Sequence, residues 1–190
     1  MTGIQGVKRK RAVSGEVQLT PRSRFGPRVL AESQPMPDNV FEKLSQWLIG
    51  KCAAYEVLRH APVFTSEEAA AVRGTPLASG AKALVCKADD QFVMIVLPAD
   101  RKLSSKAVRK NGGVKSLRFA SREEVEQLTG LAPGSIPPFG SLFGLPTWCD
   151  QRLAEQPRIN FNAGDHAISI SMASTDYIAA EQPRLGAYAD

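Results

Sequence analysis

Histidine is almost absent from this chain: its 190 residues contain only His60 and His166. Cysteine is nearly as scarce, with Cys52, Cys86 and Cys149 widely spaced and no Cys-x-x-Cys pair. A structural zinc site has too few ligands to form, so no metal is expected. Thiols this few and unpatterned fit a reduced, cytoplasmic protein. No apolar run approaches the ~20 residues that a membrane span requires, and the N-terminus lacks the apolar centre of a secretory signal. There is no Gly-x-Ser-x-Gly elbow, no Gly-Lys-Ser/Thr phosphate loop and no carboxylate pair at diagnostic spacing. No nucleophile stands out, and the cysteines read as small buried hydrophobes. An enzyme built this way works by positioning and backbone electrostatics, with water or the substrate's own groups as reactants.

What the chain does have is apolar residues, 43% of the total, enough for one sizeable core. It also carries a formal net charge of +5. Part of that excess sits in the consecutive Lys8, Arg9, Lys10 and Arg11, followed by Arg22, Arg24 and Arg28. Such a balance suits a polyanionic partner such as RNA, or simply a solvated face. Residues 1–36 show no sustained apolar period, so they read as a basic, disordered tail. Residues 37–190 read as a single domain.

Within that domain, helical spacing of Val40, Phe41, Leu44, Trp47 and Leu48 predicts a helix that Gly50 ends. Asn39 with Glu42, Thr65 with Glu68, and Ser121 with Glu124 look like capping boxes. Tyr55 to Leu58 reads as a short strand. Ala81 to Lys87 and Gln91 to Leu97 form a hairpin around Asp89-Asp90. Ser104 to Lys110 is a basic helical stretch, Ser116 to Phe119 a strand, and Ser141 to Phe143 another. Leu145 to Asp150 is expected to turn into a helix through Leu153. Arg158 to Asn162 is a strand. His166 to Met172 alternates, with Ile168, Ile170 and Met172 on one face. Ser174, Thr175 and Asp176 are expected to cap a last helix. The elements imply an α/β fold with a mixed, curled central β-sheet surrounded by short helices.

One stretch differs from ordinary loop composition. Gly130 to Gly140 (GLAPGSIPPFG) holds three glycines and three prolines, one hydroxyl and no charge. Glycine lets another molecule approach the backbone, and proline stiffens it. The N–H groups of Gly134, Ser135 and Ile136 could then converge on a polar ligand or developing oxyanion. A tight linker is the plainer alternative. Two charged or polar side chains sit on core-directed strand faces. Lys82 shares parity with Leu84 and Cys86, and His166 with Ile168 and Ile170. Each answers either to a ligand at a strand end or to a structural role.

These pieces in this order resemble the YbaK / prolyl-tRNA-synthetase-associated editing domains. Tyr55 to Ala70 (YEVLRHAPVFTSEEAA) is similar to their opening segment, and Gly80-Ala81-Lys82-Ala83-Leu84 to their lysine strand. Gly134-Ser135-Ile136-Pro137-Pro138 matches their Gly-x-x-x-Pro loop. Asn162-Ala163-Gly164-Asp165-His166 is similar to the segment that holds the editing histidine of the synthetase-inserted members. The resemblance runs from about Pro37 to Tyr177.

It implies an enzyme that hydrolyses the ester of mischarged tRNA in trans, most often tRNA for proline carrying Ala or another small amino acid. No cofactor is implied. Lys82 would bind the terminal adenosine's phosphate or orient the ester. Gly134 would hold the aminoacyl group or its oxyanion, and His166 would discriminate substrates. Ser135, Ile136 and Pro138 fall in the loop, and Gly140, Gly144 and Pro146 would shape the pocket wall. Lys106, Arg109, Lys110 and Lys115 could meet the acceptor stem, or form a solvated face. The partners expected are an aminoacylated tRNA and, as a second candidate, an aminoacyl-tRNA synthetase, with the protein a monomer or weak dimer. The competing readings are a non-catalytic tRNA-binding or interaction module of the same fold, and a small-molecule binder using the same pocket.

Overall fold

The computed structural model describes residues 39–190, so the basic stretch expected as a tail lies outside the described residues. The eight strands among the described residues form two ladders. One is three-stranded, in the order β1-β7-β6, and the other five-stranded, in the order β4-β2-β3-β5-β8. Here β1 is Tyr55–Arg59, β2 Ala81–Ala88, β3 Gln91–Pro98 and β4 Leu117–Phe119. β5 is Thr147–Asp150, β6 Arg158–Asn162, β7 Ile168–Ala173 and β8 Arg184–Gly186. A single parallel bridge between Gly80 and Asn160 links the two ladders. The sheet is mixed, as expected, because β3 and β5 run parallel while β2 and β3 are antiparallel. It remains open.

The β2–β3 hairpin turns at Asp89, which adopts φ +49°. Both its strands are largely buried, because apolar layers cover the two faces. One layer lies between the ladders and holds Leu44, Val85, Met94, Phe139, Phe161, Ile170 and Tyr177. Phe139 is its hub, edge-on to Trp47, Phe161 and Tyr177 at 5.2, 5.4 and 5.2 Å. The other layer holds Cys86, Val93, Ile95, Val108, Trp148 and Tyr188.

Among the described residues six α-helices accompany these strands. α1 (Val40–Gly50) is capped by the Asn39 side chain, which accepts from the Phe41 N–H; Glu42 does not complete the expected box. α2 (Ser66–Arg73) and α4 (Arg122–Thr129) carry full reciprocal capping boxes, Thr65 with Glu68 and Ser121 with Glu124. Gly74 and Gly130 end them in the left-handed conformation. α3 (Ser105–Gly112) follows the Ser104 cap. α5 is Gln151–Ala154 and α6 is Ser174–Glu181.

Further expectations are corrected, and Cys52, expected to be buried, is exposed. Ser141 to Phe143 is not a strand but part of a 3-10 turn, Gly140–Phe143, closed by Gly144 at φ +67°. Thr147 to Asp150 does not lead into a helix as a turn. It is β5, paired on both sides within the sheet and wholly buried, so the alternation that marks a half-exposed strand is missing. His166 precedes its strand instead of opening it, since β7 begins at Ile168. α6 has Ala173 at its N-cap with no side-chain bond, and the Ser174 hydroxyl is buried without a partner. Among the described residues no helix is long and apolar enough to cross a membrane.

Candidate active site

A cavity of about 300 Å³ opens where α2, the start of β2, the end of β6 and the glycine–proline loop meet. α2 presents Ser66, Ala69, Ala70 and Arg73 to it, the i, i+3, i+4, i+7 face of one helix. Small residues on that face leave the space, and the arginine closes one end. Lys82, Gly134 and Ile136 line the same cavity, so three of the residues singled out by sequence are brought together.

The loop is held in place from several directions. Tyr177 Oη donates to the Pro138 carbonyl at 2.9 Å, below the loop. The Gly164 N–H donates to the Ser135 carbonyl at 2.9 Å. Asn162 Nδ2 donates to the Gly134 carbonyl at 2.8 Å. Gly134 itself sits at φ +94°, which glycine adopts freely and L-residues resist. The Ser135 N–H is spent on Ala132 O at 3.3 Å. The N–H groups of Gly134 and Ile136 have no hydrogen-bond partner among the described residues. Of the three donors expected to converge, two are therefore free.

Lys82 extends from the β2 face that also carries Leu84 and Cys86, as strand parity predicts. Its ammonium donates to the carbonyls of Ala99 and Arg101, in the turn after β3. Burial lowers its pKa, while Asp100, Glu67 and Asp190 pull it back up. Arg73 is the second cation of the cavity. Its Nε donates to Ser169 Oγ at 2.8 Å, and its Nη2 donates to Asn162 Oδ1. Burial lowers its pKa to about 10. Asn162 thus connects the guanidinium to the Gly134 carbonyl.

His166 lies behind the loop and not within the cavity. It lines a shallower groove with Pro62, Phe64, Leu131, Ser135 and Asp165. Its Nδ1 is 3.0 Å from the Val63 carbonyl, so Nδ1 carries the proton and Nε2 is left as the free nitrogen. Phe64 packs on the ring at 4.8 Å. A methyl group added to Gly134 would lie 3.2 Å from His166 Cε1, so the histidine buttresses the loop directly. Ser135 faces this groove as well. Pro138, Gly140, Gly144 and Pro146 line neither space. Gly140 instead packs against Thr147, whose hydroxyl accepts the Gly140 N–H at 3.0 Å and donates to the buried Glu181 carboxylate. Lys106, Arg109 and Lys110 are exposed on α3, and Lys115 is exposed before β4.

Arg73, Asn162 and Phe64 escaped the sequence reading of the site. The signal for Arg73 was present in the small-residue face of α2 that ends on a cation. For Asn162 no local signal exists, because a strand-end amide becomes important only through two partners distant in sequence.

A stiff glycine loop with two free backbone donors, beside a small cavity with two cations, has the chemistry to receive a polar carbonyl group attached to an anion. The chain belongs to the aminoacyl-tRNA editing domain family, whose profile matches residues 60–180. It is 35% identical over 149 residues to the multifunctional Ser/Thr-tRNA deacylase ProXp-y of Escherichia coli strain K12. That match covers 76% of this chain and 89% of the relative. It is also 35% identical over 82 residues to a proline–tRNA ligase of Bacillus licheniformis, covering 43% of this chain and 14% of the ligase. A solved structure described as a candidate trans-editing enzyme for prolyl tRNA synthetase shares the fold. Its TM-score is 0.70 at 21% identity, over 82% of this chain and 99% of that one. The resemblance read from the four motifs is borne out, and so is the enzyme class, an editing hydrolase of aminoacyl-tRNA esters.

Proposed function

We propose that the protein is a trans-editing deacylase that removes a small amino acid from mischarged tRNA, with Ser and Thr favoured and Ala next. The observation that carries this reading is the pair of free N–H groups, Gly134 and Ile136, on a loop clamped by Asn162, Gly164 and Tyr177. An aminoacyl ester is already activated, so its hydrolysis needs modest help. A water molecule, assisted by the ribose hydroxyl beside the ester, attacks the carbonyl. The two N–H groups receive the negative oxygen; one such donor is typically worth ~2.7–4 kcal/mol of barrier. Lys82 supplies positive charge at the β2 end of the cavity. His166 holds Gly134 from behind and tunes which amino acids are accepted through the loop's position.

Selectivity follows from size. A cavity of about 300 Å³ walled by Ala69 and Ala70 excludes large side chains. It separates Ser from Thr poorly, because one methylene is worth only ~1–3 kcal/mol. Thr65, Ser66 and Thr75 also line the cavity, and polar residues there favour a hydroxylated amino acid over Ala. The E. coli relative's name points the same way. Its partners would be the aminoacylated acceptor end and, more loosely, a synthetase, in the cytoplasm, with the protein acting as a monomer or weak dimer.

The test is deacylation of tRNAs charged separately with Ser, Thr, Ala and Pro, by the wild type and Lys82→Ala. Rapid release of at least one small amino acid, with Pro retained and the rate cut ~10²-fold in the variant, is the expected result. Release of none by the wild type would favour the non-catalytic tRNA-binding module instead.

A further inference from the structure

Arg73 has no acidic partner among the described residues. Its two hydrogen bonds go to neutral groups, the Ser169 hydroxyl and the Asn162 amide. Ser169 is itself committed, since its oxygen lies 2.7 Å from His60 Nε2 while His60 Nδ1 donates to the Ala61 carbonyl at 2.7 Å. The Ser169 oxygen therefore sits between His60 Nε2 and Arg73 Nε–H, whose bond it accepts. Asn162 is likewise fixed, by donating to Gly134 O. These bonds use the Nε–Nη2 edge of the guanidinium and lock its plane. They leave both N–H groups of Nη1 and one of Nη2, which is the terminal fork that matches two oxygens of a phosphate.

A half-buried cation among neutral partners is costly unless an anion joins it. Lys82 is not equivalent, because its ammonium already donates to two carbonyls. The aminoacyl group cannot be the missing anion, since its free end is an ammonium. We propose that Arg73 binds a phosphodiester of the single-stranded 3′ end of the tRNA, and so sets how deep the ester enters beside Gly134. This rests on the deacylase reading for the identity of the RNA.

The experiment is a binding titration with a labelled, uncharged RNA minihelix carrying the tRNA 3′ end, across a range of potassium chloride concentrations. Wild type, Arg73→Gln and Arg73→Lys are compared, with thermal melts to show that each is folded. The same minihelix is also made with a neutral methylphosphonate at each of its last three phosphodiesters in turn. Arg73→Gln is expected to bind ~10-fold more weakly, with a salt slope shallower by roughly 0.7. One neutral linkage should weaken wild type by a similar factor and leave Arg73→Gln unaffected, a coupling that a merely structural role would not produce. Arg73→Lys should keep the salt slope while losing part of the affinity. Equal losses on the neutral linkages for wild type and Arg73→Gln, unchanged slopes, or a wild type that binds no minihelix would overturn the proposal. Hydrolysis of charged tRNA by the wild type is scored separately. A wild type that binds with the expected coupling yet hydrolyses nothing would sink the deacylase reading alone.

Discussion

Gly134 is the residue on which the proposed chemistry turns, and its substitution separates geometry from bulk. At φ +94° a Cβ is strained, and it would also press on His166 Cε1 at 3.2 Å. The strain of a left-handed L-residue is about 1–2 kcal/mol. The loop can relieve it only by rotating the peptide that carries its free N–H groups. Gly134→Ala should therefore lose about 1 kcal/mol of stability in a denaturant titration and ~10²-fold in kcat on charged tRNA. A stability loss without a rate loss would show the loop to be scaffold. At this scale Gly134 and Lys82 were legible in the sequence, because each broke a local rule: an uncharged glycine–proline loop, and a cation on an apolar strand face. The role of His166 was less legible. Parity placed it on a strand, whereas the turn at Gly164 and Asp165 swings it behind the loop, where it bonds the Val63 carbonyl.

Among the elements, α4 shows how a cap carries a pH dependence. Glu124 accepts from Arg118 at 2.6 and 2.7 Å and from the Ser121 N–H at 2.8 Å, tying β4 to the start of the helix. The Arg118 bonds, followed by the Ser121 N–H, hold its carboxylate down to a pKa of about 2. A folded pKa below the unfolded value gives stability that is complete above the ordinary carboxylate range and is lost as pH falls through about 2. Glu124→Gln should thus melt below wild type at neutral pH, and the gap should close as the pH is taken from ~4.5 towards ~2. A gap that stays constant with pH would mean that shape, not charge, makes the cap. The two complete boxes were readable because every partner lies within four residues. β5 was not, since four buried residues between Pro146 and a helix carry no period. The 3-10 turn at Gly140–Phe143 was missed for a related reason. What shapes it is the contact of Gly140 with Thr147 and the left-handed Gly144, and neither shows in the apolar pattern.

Over the whole molecule, the site is assembled from chain segments that only the fold brings together. Arg73 and Asn162 are 89 residues apart, and Asn162 and Gly134 are 28 apart. Sequence pattern gave the strands and helices that carry these residues, but the pairing of ladders through Gly80 and Asn160 that aligns them is a long-range outcome. The same scale governs how RNA would approach. β4 ends at Phe119, which lines the cavity and is 59% exposed. α3 packs beside β4, and Lys106, Arg109 and Lys110 on it, with Lys115 in the connecting turn, are exposed. An acceptor stem that feeds its 3′ end into the cavity would run across this surface. None of the four cations lines the cavity, so cations there that meet the stem would bind ground and transition states alike and act through KM. Replacing all four by Gln should raise KM by ~10-fold or more at low salt and leave kcat unchanged. The slope of log KM against log salt should become shallower by up to about 3.6, at roughly 0.7–0.9 per phosphate contact. Arg73 predicts a smaller slope change that a neutral 3′ linkage cancels, so the two surfaces are separable in the same assay. An unchanged KM across the salt range would identify α3 as a solvated face.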